Sequence, residues 1–224
     1  GTDSWKEERF SVEKAALDGR DGLKEIWIQY DQFIPTNHKT IVLSGHWTTK
    51  IFFLYAEEDN VGRNADEPRL MLTNVDGETA FNSYIRGDFK HRDELGNDVY
   101  TGMGGGDASI DRAVDLGKWQ RRTLHVKLPT SFTSNNGIIE YWIRHGNNVV
   151  RKHVSITDCS FLVNDFPYIR HRYMLGWSNS GFDVPTSFLI TNIILAESVD
   201  QVDQAAIIYV PPPKPPSDVN TVAK

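Results

Sequence analysis

Gly137-Ile138-Ile139-Glu140-Tyr141-Trp142-Ile143-Arg144 and Val149-Val150-Arg151-Lys152-His153-Val154 flank the turn signal Gly146-Asn147-Asn148 and read together as a β-hairpin. Side chains alternate across a strand, so if Ile139, Tyr141 and Ile143 enter a core, Glu140, Trp142 and Arg144 take the opposite face. The same alternation sets Val150 and Val154 inward and Arg151 and His153 outward. The outward face is then aromatic and cationic. An indole beside guanidinium and imidazole groups suits a sugar ring that bears a carboxylate or sulfate, since the ring stacks and the Arg forks to the anion. The same pattern also describes an ordinary solvated strand face.

Outward from the hairpin, strand patterns dominate the chain. Leu23 to Ile34 alternates Ile26, Ile28 and Tyr30 with Trp27, Gln29 and Asp31 before Pro35 ends it. Further runs cover Ile51 to Ala56, Arg69 to Val75, Thr79 to Arg86, Gln120 to Leu128, Tyr173 to Trp177 and Ser187 to Ala196. In Gln120 to Leu128, Leu124, Val126 and Leu128 point inward and Thr123, His125 and Lys127 outward. Helical signals are confined to single turns at Val12 to Leu17 and Val199 to Ala206. Gly87 to Asp98 and the glycine-rich Thr101 to Asp107 read as loops; the latter lacks the Gly-Lys-Ser/Thr ending of a phosphate loop. About ten strands without helical crossovers imply an all-β, antiparallel β-sandwich of the jelly-roll type.

The chain of 224 residues is within the range of one large β domain, expected over residues 1–209. Residues 210–224 hold Pro211-Pro212-Pro213-Lys214-Pro215-Pro216, which forces polyproline II and reads as a linker or tail toward further domains or subunits. A formal charge of -6 speaks against a general nucleic-acid binder. Bases nevertheless cluster between Arg144 and Arg172 while acids gather in Glu57-Glu58-Asp59, Asp66-Glu67 and Asp93-Glu94, an asymmetry that fits an anionic ligand. The single cysteine, Cys159, excludes an internal disulfide and stands in an apolar context as a small buried hydrophobe. No apolar run reaches membrane-span length.

Glu25-Ile26-Trp27-Ile28-Gln29-Tyr30-Asp31-Gln32-Phe33-Ile34-Pro35, Trp119 ahead of the Leu124 to Pro129 strand, Asn136-Gly137 to Trp142, and Leu175-Gly176-Trp177-Ser178-Asn179-Ser180-Gly181-Phe182-Asp183 resemble the concanavalin-A-like jelly rolls. Within them the chain is most similar to the polysaccharide-lyase-related branch, including the glucuronan lyase and heparin lyase I groups. The resemblance covers roughly Leu23 to Glu197. It implies a secreted or virion-associated protein that binds an acidic polysaccharide on one sheet and cleaves it by β-elimination. Such a reaction needs a group that neutralises the uronate carboxylate and a Tyr, His or Lys that moves the C5 proton and protonates the leaving oxygen. His153 and Tyr84 are the candidate bases, and Asn82, Arg86, His125, Lys127, Trp142, Arg144, Arg151 and Gln29 the candidate substrate ligands.

Relatives often carry paired acids near the position of Thr191-Asn192, where an Asp helps hold a structural calcium; this chain has neutral side chains there. Asp183, Asp3 and Glu13 are the remaining oxygen donors for a structural Ca2+, and no His spacing matches a zinc site. Glycoside hydrolysis ranks lower, because no strand aims two carboxylates into one groove about 5 Å apart. Two noncatalytic readings stand beside the lyase: a sugar-binding module that stacks on Trp142, Trp27 or Trp47, and a structural or adhesion subunit.

Overall fold

In a computed structural model, the described residues are 8–11, 23–37, 48–55, 70–76, 81–87, 89–93, 95–101, 108–111, 116–131, 133–144, 150–161, 169, 171–174 and 189–202. They form thirteen strands: β1 (Glu8–Ser11), β2 (Glu25–Phe33), β3 (Thr48–Tyr55), β4 (Leu70–Asp76), β5 (Phe81–Gly87), β6 (Phe89–Arg92), β7 (Asp98–Thr101), β8 (Ala108–Asp111), β9 (Trp119–Lys127), β10 (Gly137–Arg144), β11 (Val150–Phe161), β12 (His171–Met174) and β13 (Leu189–Ala196). The one described helical turn spans residues 199–202. Every strand pair is antiparallel. One sheet has the order β13-β2-β9-β10-β11-β6-β7 and the other β1-β12-β3-β4-β5-β8. This is the antiparallel jelly-roll sandwich that the strand pattern implies. β11 approaches β8, and an isolated bridge joins Leu23 to Ile169. The calcium candidates Asp3, Glu13 and Asp183, the proline-rich residues 210–224 and Trp47 lie outside the described residues.

The core follows from alternation in the seven-stranded sheet. Cross-strand partners share a face, and the register aligns Ile28, Leu124, Tyr141 and Val154 in one row and Ile26, Val126, Ile139 and Ile156 in the next. All eight are buried. Burial of each such side chain stabilises the fold by about 1.5–3 kcal/mol relative to exposure. At the other end the same face turns polar. The fully buried Arg122 donates from Nη1 to the Tyr141 hydroxyl and from Nη2 to Gln120 Oε1, both at 2.9 Å. Burial, and then Tyr141, push the neighbouring Tyr30 phenol well above its ordinary range. Cys159 is buried, as its context implies, and burial with Asp158 raises its thiol to about 12.

In the seven-stranded sheet two ladders depart from simple alternation; in the six-stranded sheet β3 slips against β4 between Lys50 and Phe52, and β5 against β8 between Ser83 and Tyr84. The ladder between β10 and β11 slips twice, once between Gly137 and Ile139 and once between Tyr141 and Trp142, so β11 carries β-bulges. At the first, Gly137 is required because a Cβ there would meet the Cys159 carbonyl oxygen at 2.8 Å and its Sγ at 2.9 Å. On the sheet edge, β13 slips against β2 between Thr191 and Ile194, and Asn192 adopts φ 52. Its Nδ2 donates to Asp31 Oδ2 at 2.7 Å, which repays the left-handed backbone locally.

The segment expected as one loop from Gly87 to Asp98 instead contains β6 and starts β7. Phe89 is fully buried, and a tight turn closes the hairpin: Gly96 N donates to the Asp93 carbonyl at 2.9 Å, with Gly96 at φ 84. The Asp93 carboxylate accepts from Asn97 Nδ2, Asn97 N and Leu95 N, and these bonds, the Asn97 side chain's first, hold it below the usual carboxylate range. One buried aromatic in a charged run is too little pattern to announce a strand.

Candidate functional site

The seven-stranded sheet presents Glu25, Trp27, Gln29 and Asp31 of β2, Arg121, Thr123, His125 and Lys127 of β9, and Glu140, Trp142 and Arg144 of β10 on the face opposite the core. Gln29, His125, Lys127, Trp142 and Arg144 were expected there and are brought together. Their chemistry is dominated by partners that alternation alone did not single out. His125 lies between two carboxylates, with Nε2 2.8 Å from Glu25 Oε1 and Nδ1 2.9 Å from Glu140 Oε2. A carboxylate only accepts, so both contacts are hydrogen bonds when the ring carries both protons. Lys152 donates to the second Glu140 oxygen at 2.6 Å, and Lys127 pairs with Glu25 at 3.3 Å. The chain Lys127, Glu25, His125, Glu140, Lys152 thus ties four strands together.

Burial is the largest single influence on the Glu25 and Glu140 carboxyls and pushes both up. The hydrogen bonds and charges of His125 and Lys127 on Glu25, and of Lys152 and His125 on Glu140, together outweigh it and hold both below the ordinary range. The rings are committed as well. Trp27 stacks on His125 with centroids 3.8 Å apart and lies 5.7 Å from Trp142, while the Lys152 ammonium sits 4.9 Å from the Trp142 centroid. Further along, Arg121 grips the nearly buried Asp31 through Nε and Nη2, both at 2.9 Å. Gln29 donates to the Thr123 hydroxyl at 3.0 Å. This face is largely neutralised within itself.

The bulge in β11 corrects the expected placement of the second hairpin strand. Trp142 pairs with Lys152 and Tyr141 with Val154, so His153 is the extra residue, and Arg151 stands opposite Ile143 in a core-face row. Val150, expected inward, is 58% exposed opposite Arg144. An inserted residue inverts the alternation for everything before it, so Lys152 rather than Arg151 or His153 takes the outward position beside Trp142.

Asn82, Tyr84 and Arg86 do not join these groups, because they are on β5 in the six-stranded sheet. There the register defines two sets of positions. One set is apolar along its middle rows, with Phe10, Phe52, Leu54, Leu70, Leu72, Ile85, Ala108 and Met174, and also holds Glu8, Asn74, Asp76, Ser83, Asp111 and Arg172. The other is more polar, with Asn82, Tyr84 and Arg86 of β5, Thr73 of β4, Lys50 of β3, Ser109 of β8, Tyr173 of β12 and Arg9 of β1, and it also holds the apolar Met71 and Val75 of β4 and Phe53 of β3. Lys50, Thr73, Tyr84 and Ser109 occupy one cross-strand row. No Asp or Glu stands at a position of this polar set in the six strands, whereas it includes Arg9, Lys50 and Arg86. Asn82 and Arg86 flank Tyr84 at alternate positions, about 7 Å away along the strand.

Among the described residues, no group of three or more His, Cys, Asp or Glu side chains is arranged to hold a metal ion, and no helix is long and apolar enough to cross a membrane.

No family model and no curated protein matches the chain. Among solved structures, a variant of the alginate lyase Aly36B with one lysine and one tyrosine replaced by alanine, bound to an alginate tetrasaccharide, superposes with a TM-score of 0.53 at 14% identity, covering 79% of this chain and 70% of that one. An alginate lyase from Pseudomonas aeruginosa gives 0.42 at 9% identity, covering 80% and 67%, and the catalytic domain of a glycoside hydrolase family 131 protein from Coprinopsis cinerea gives 0.38 at 12%, covering 80% and 59%. At such identities the likeness is one of architecture: the chain has a jelly-roll fold similar to that of polysaccharide lyases.

Proposed function

We propose that the chain binds a uronate-containing polysaccharide on the polar face of its six-stranded sheet and cleaves it by β-elimination outside the cell. The observation that carries this reading is the placement of Asn82, Tyr84 and Arg86 at alternate positions of one strand, with Tyr84 in one row with Lys50, on a set of positions that within the six described strands holds cations and no acids. On the other sheet, Lys127, His125, Lys152 and Arg121 already pair with Glu25, Glu140 and Asp31. An anionic chain docking there would have to displace those carboxylates. Charge complementarity therefore favours the six-stranded sheet.

In the proposed reaction, Arg86 and Asn82 neutralise the uronate carboxylate and so favour loss of the C5 proton. Tyr84 and Lys50 form the proton-transferring pair: one takes the C5 proton, the other protonates O4 as the C4–O bond breaks and a C4=C5 double bond forms. The chemistry demands a base and an acid within reach of adjacent carbons, and β5 and β3 supply them two strands apart. The resolved likeness to a lyase fold supports the reaction class, and the Aly36B complex shows that such a fold can hold an alginate oligomer when a lysine and a tyrosine are replaced. Glucuronan, alginate and heparin-like chains are the substrate classes that fit the carboxylate-binding chemistry.

The test is the ultraviolet absorbance of the unsaturated product across alginate, glucuronan, ulvan and heparin-like chains. Activity on at least one is expected, and Tyr84→Phe and Arg86→Ala should each reduce kcat/KM by about 10²–10⁴-fold. Binding without product would leave a sugar-binding module, and loss of activity in His153→Ala with Tyr84→Phe fully active would move the site to the seven-stranded sheet.

A further inference from the structure

The pairing of the six-stranded sheet also fixes how a polymer would lie on it. Arg86 on β5 pairs with Met71 on β4, Met71 with Phe53 on β3, Phe53 with Tyr173 on β12, and Tyr173 with Arg9 on β1. Five strands therefore share one row that begins and ends on a guanidinium-bearing residue and has two aromatic residues between. Neighbouring strands are about 4.8 Å apart, so Arg86 and Arg9 are separated by roughly 19 Å at the backbone. A 1,4-linked pyranose advances by about the spacing of one strand, so the row spans about four sugars. Lys50 stands one row away on the same set of positions.

We infer that Arg9, on the edge strand β1, is a second carboxylate clamp about four sugars from the one held at Arg86, and that the polyuronate runs across the strands along this row. The inference rests on the proposed polysaccharide site and deepens it. Aromatic residues between two cations suit a chain whose sugar faces are apolar and whose carboxylates recur at a fixed interval. A clamp remote from the reacting bond contributes binding energy only to chains long enough to reach it, so it selects long polymers and internal cleavage over short oligomers. Arg9 precedes every segment of the chain that sequence alternation picked out, and only the β1–β12 pairing brings it into line with Arg86.

The experiment measures cleavage of size-defined oligouronates from three to eight sugars by wild type, Arg9→Gln and Arg9→Lys, each checked for an unchanged far-ultraviolet dichroism spectrum and melting temperature. For Arg9→Gln, KM should rise about tenfold on the longer oligomers with kcat retained, and both constants should match wild type on the trimer. Arg9→Lys, which keeps the charge but not the fork, should fall between. In parallel, binding of the same oligomers to Tyr84→Phe and to the Tyr84→Phe/Arg9→Gln double variant reads the clamp without turnover. Equal KM and affinity for long and short chains in wild type and Arg9→Gln overturns the inference while leaving the proposed lyase site standing. No cleavage or binding of any oligouronate by wild type overturns the site itself, and the clamp with it. A drop in kcat on the trimer would place Arg9 at the reacting bond and equally overturn its remote role.

Discussion

Glu140→Ala separates the structural face from the proposed binding face most sharply. Glu140 accepts from buried His125 and from Lys152, whose side chain is 40% exposed. Loss of the Lys152 contact alone, an exposed pair, costs about 0.2–1 kcal/mol. The imidazole is only 6% exposed, and a buried donor stripped of its acceptor costs about 1–3 kcal/mol. The sum is about 2 kcal/mol, with a range of roughly 1–4. For a domain of this size each kcal/mol moves Tm by about 2–4 °C, so a fall of about 4–8 °C is expected by calorimetry or dichroism. Lys152→Ala should cost less than about 1 kcal/mol. Combining Glu25→Ala with Glu140→Ala should be non-additive by at least about 0.5 kcal/mol, because both act on one imidazole. Folded Glu140→Ala should bind polyuronate as wild type does. A Glu140→Ala stability within about 0.5 kcal/mol of wild type would refute the account of the clasp, and a tenfold loss of ligand affinity in the folded variant would refute the assignment of the face.

Two further outcomes follow from the same geometry. Since the Glu25 and Glu140 carboxyls are depressed in the fold, the unfolded chain binds more protons between their lowered values and the ordinary glutamate value of about 4.3, so stability is complete above that value and falls as pH drops through the depressed ones; denaturant midpoints measured against pH should show this acid limb, and Glu25→Gln with Glu140→Gln should flatten it. Gly137→Ala drives a methyl against the Cys159 carbonyl and should lower stability by about 1–3 kcal/mol, read as a shift in urea midpoint at constant slope; an unchanged midpoint would show that the bulge relaxes freely.

Strand identity was legible wherever one face is apolar without interruption. In β2, β9 and β10 the alternation of Ile26, Ile28 and Tyr30, of Leu124 and Val126, and of Ile139, Tyr141 and Ile143 survives unchanged in the structure, and it correctly turned His125, Lys127, Trp142 and Arg144 outward. β11 was misread because a bulge adds a residue without altering composition, so Arg151 and His153 lost the places that Lys152 gained. Partnership was harder to see than position. Glu25 and His125 are separated by 100 residues, and nothing in either segment announces that β2 and β9 will pair and bring them within 2.8 Å. Sheet membership was also invisible locally: Thr79 to Arg86 and Gln120 to Leu128 look alike as strands, yet long-range pairing assigns them to different sheets. β1 is four residues long and charged, and only its partner β12 reveals it.

The kink at Asn192 has a bearing on solubility. Among the described strands β13 borders the seven-stranded sheet, and it exposes Ile193 and Leu195, apolar side chains of the kind that at a sheet border favour extension by another strand. By stepping out of register midway, the strand breaks its own ladder with β2 into two runs of three residues, and such a kink makes a strand a poorer template for pairing. The irregularity is of the kind that discourages edge-to-edge association, and the bond from Asn192 to Asp31 fastens it to the neighbouring strand.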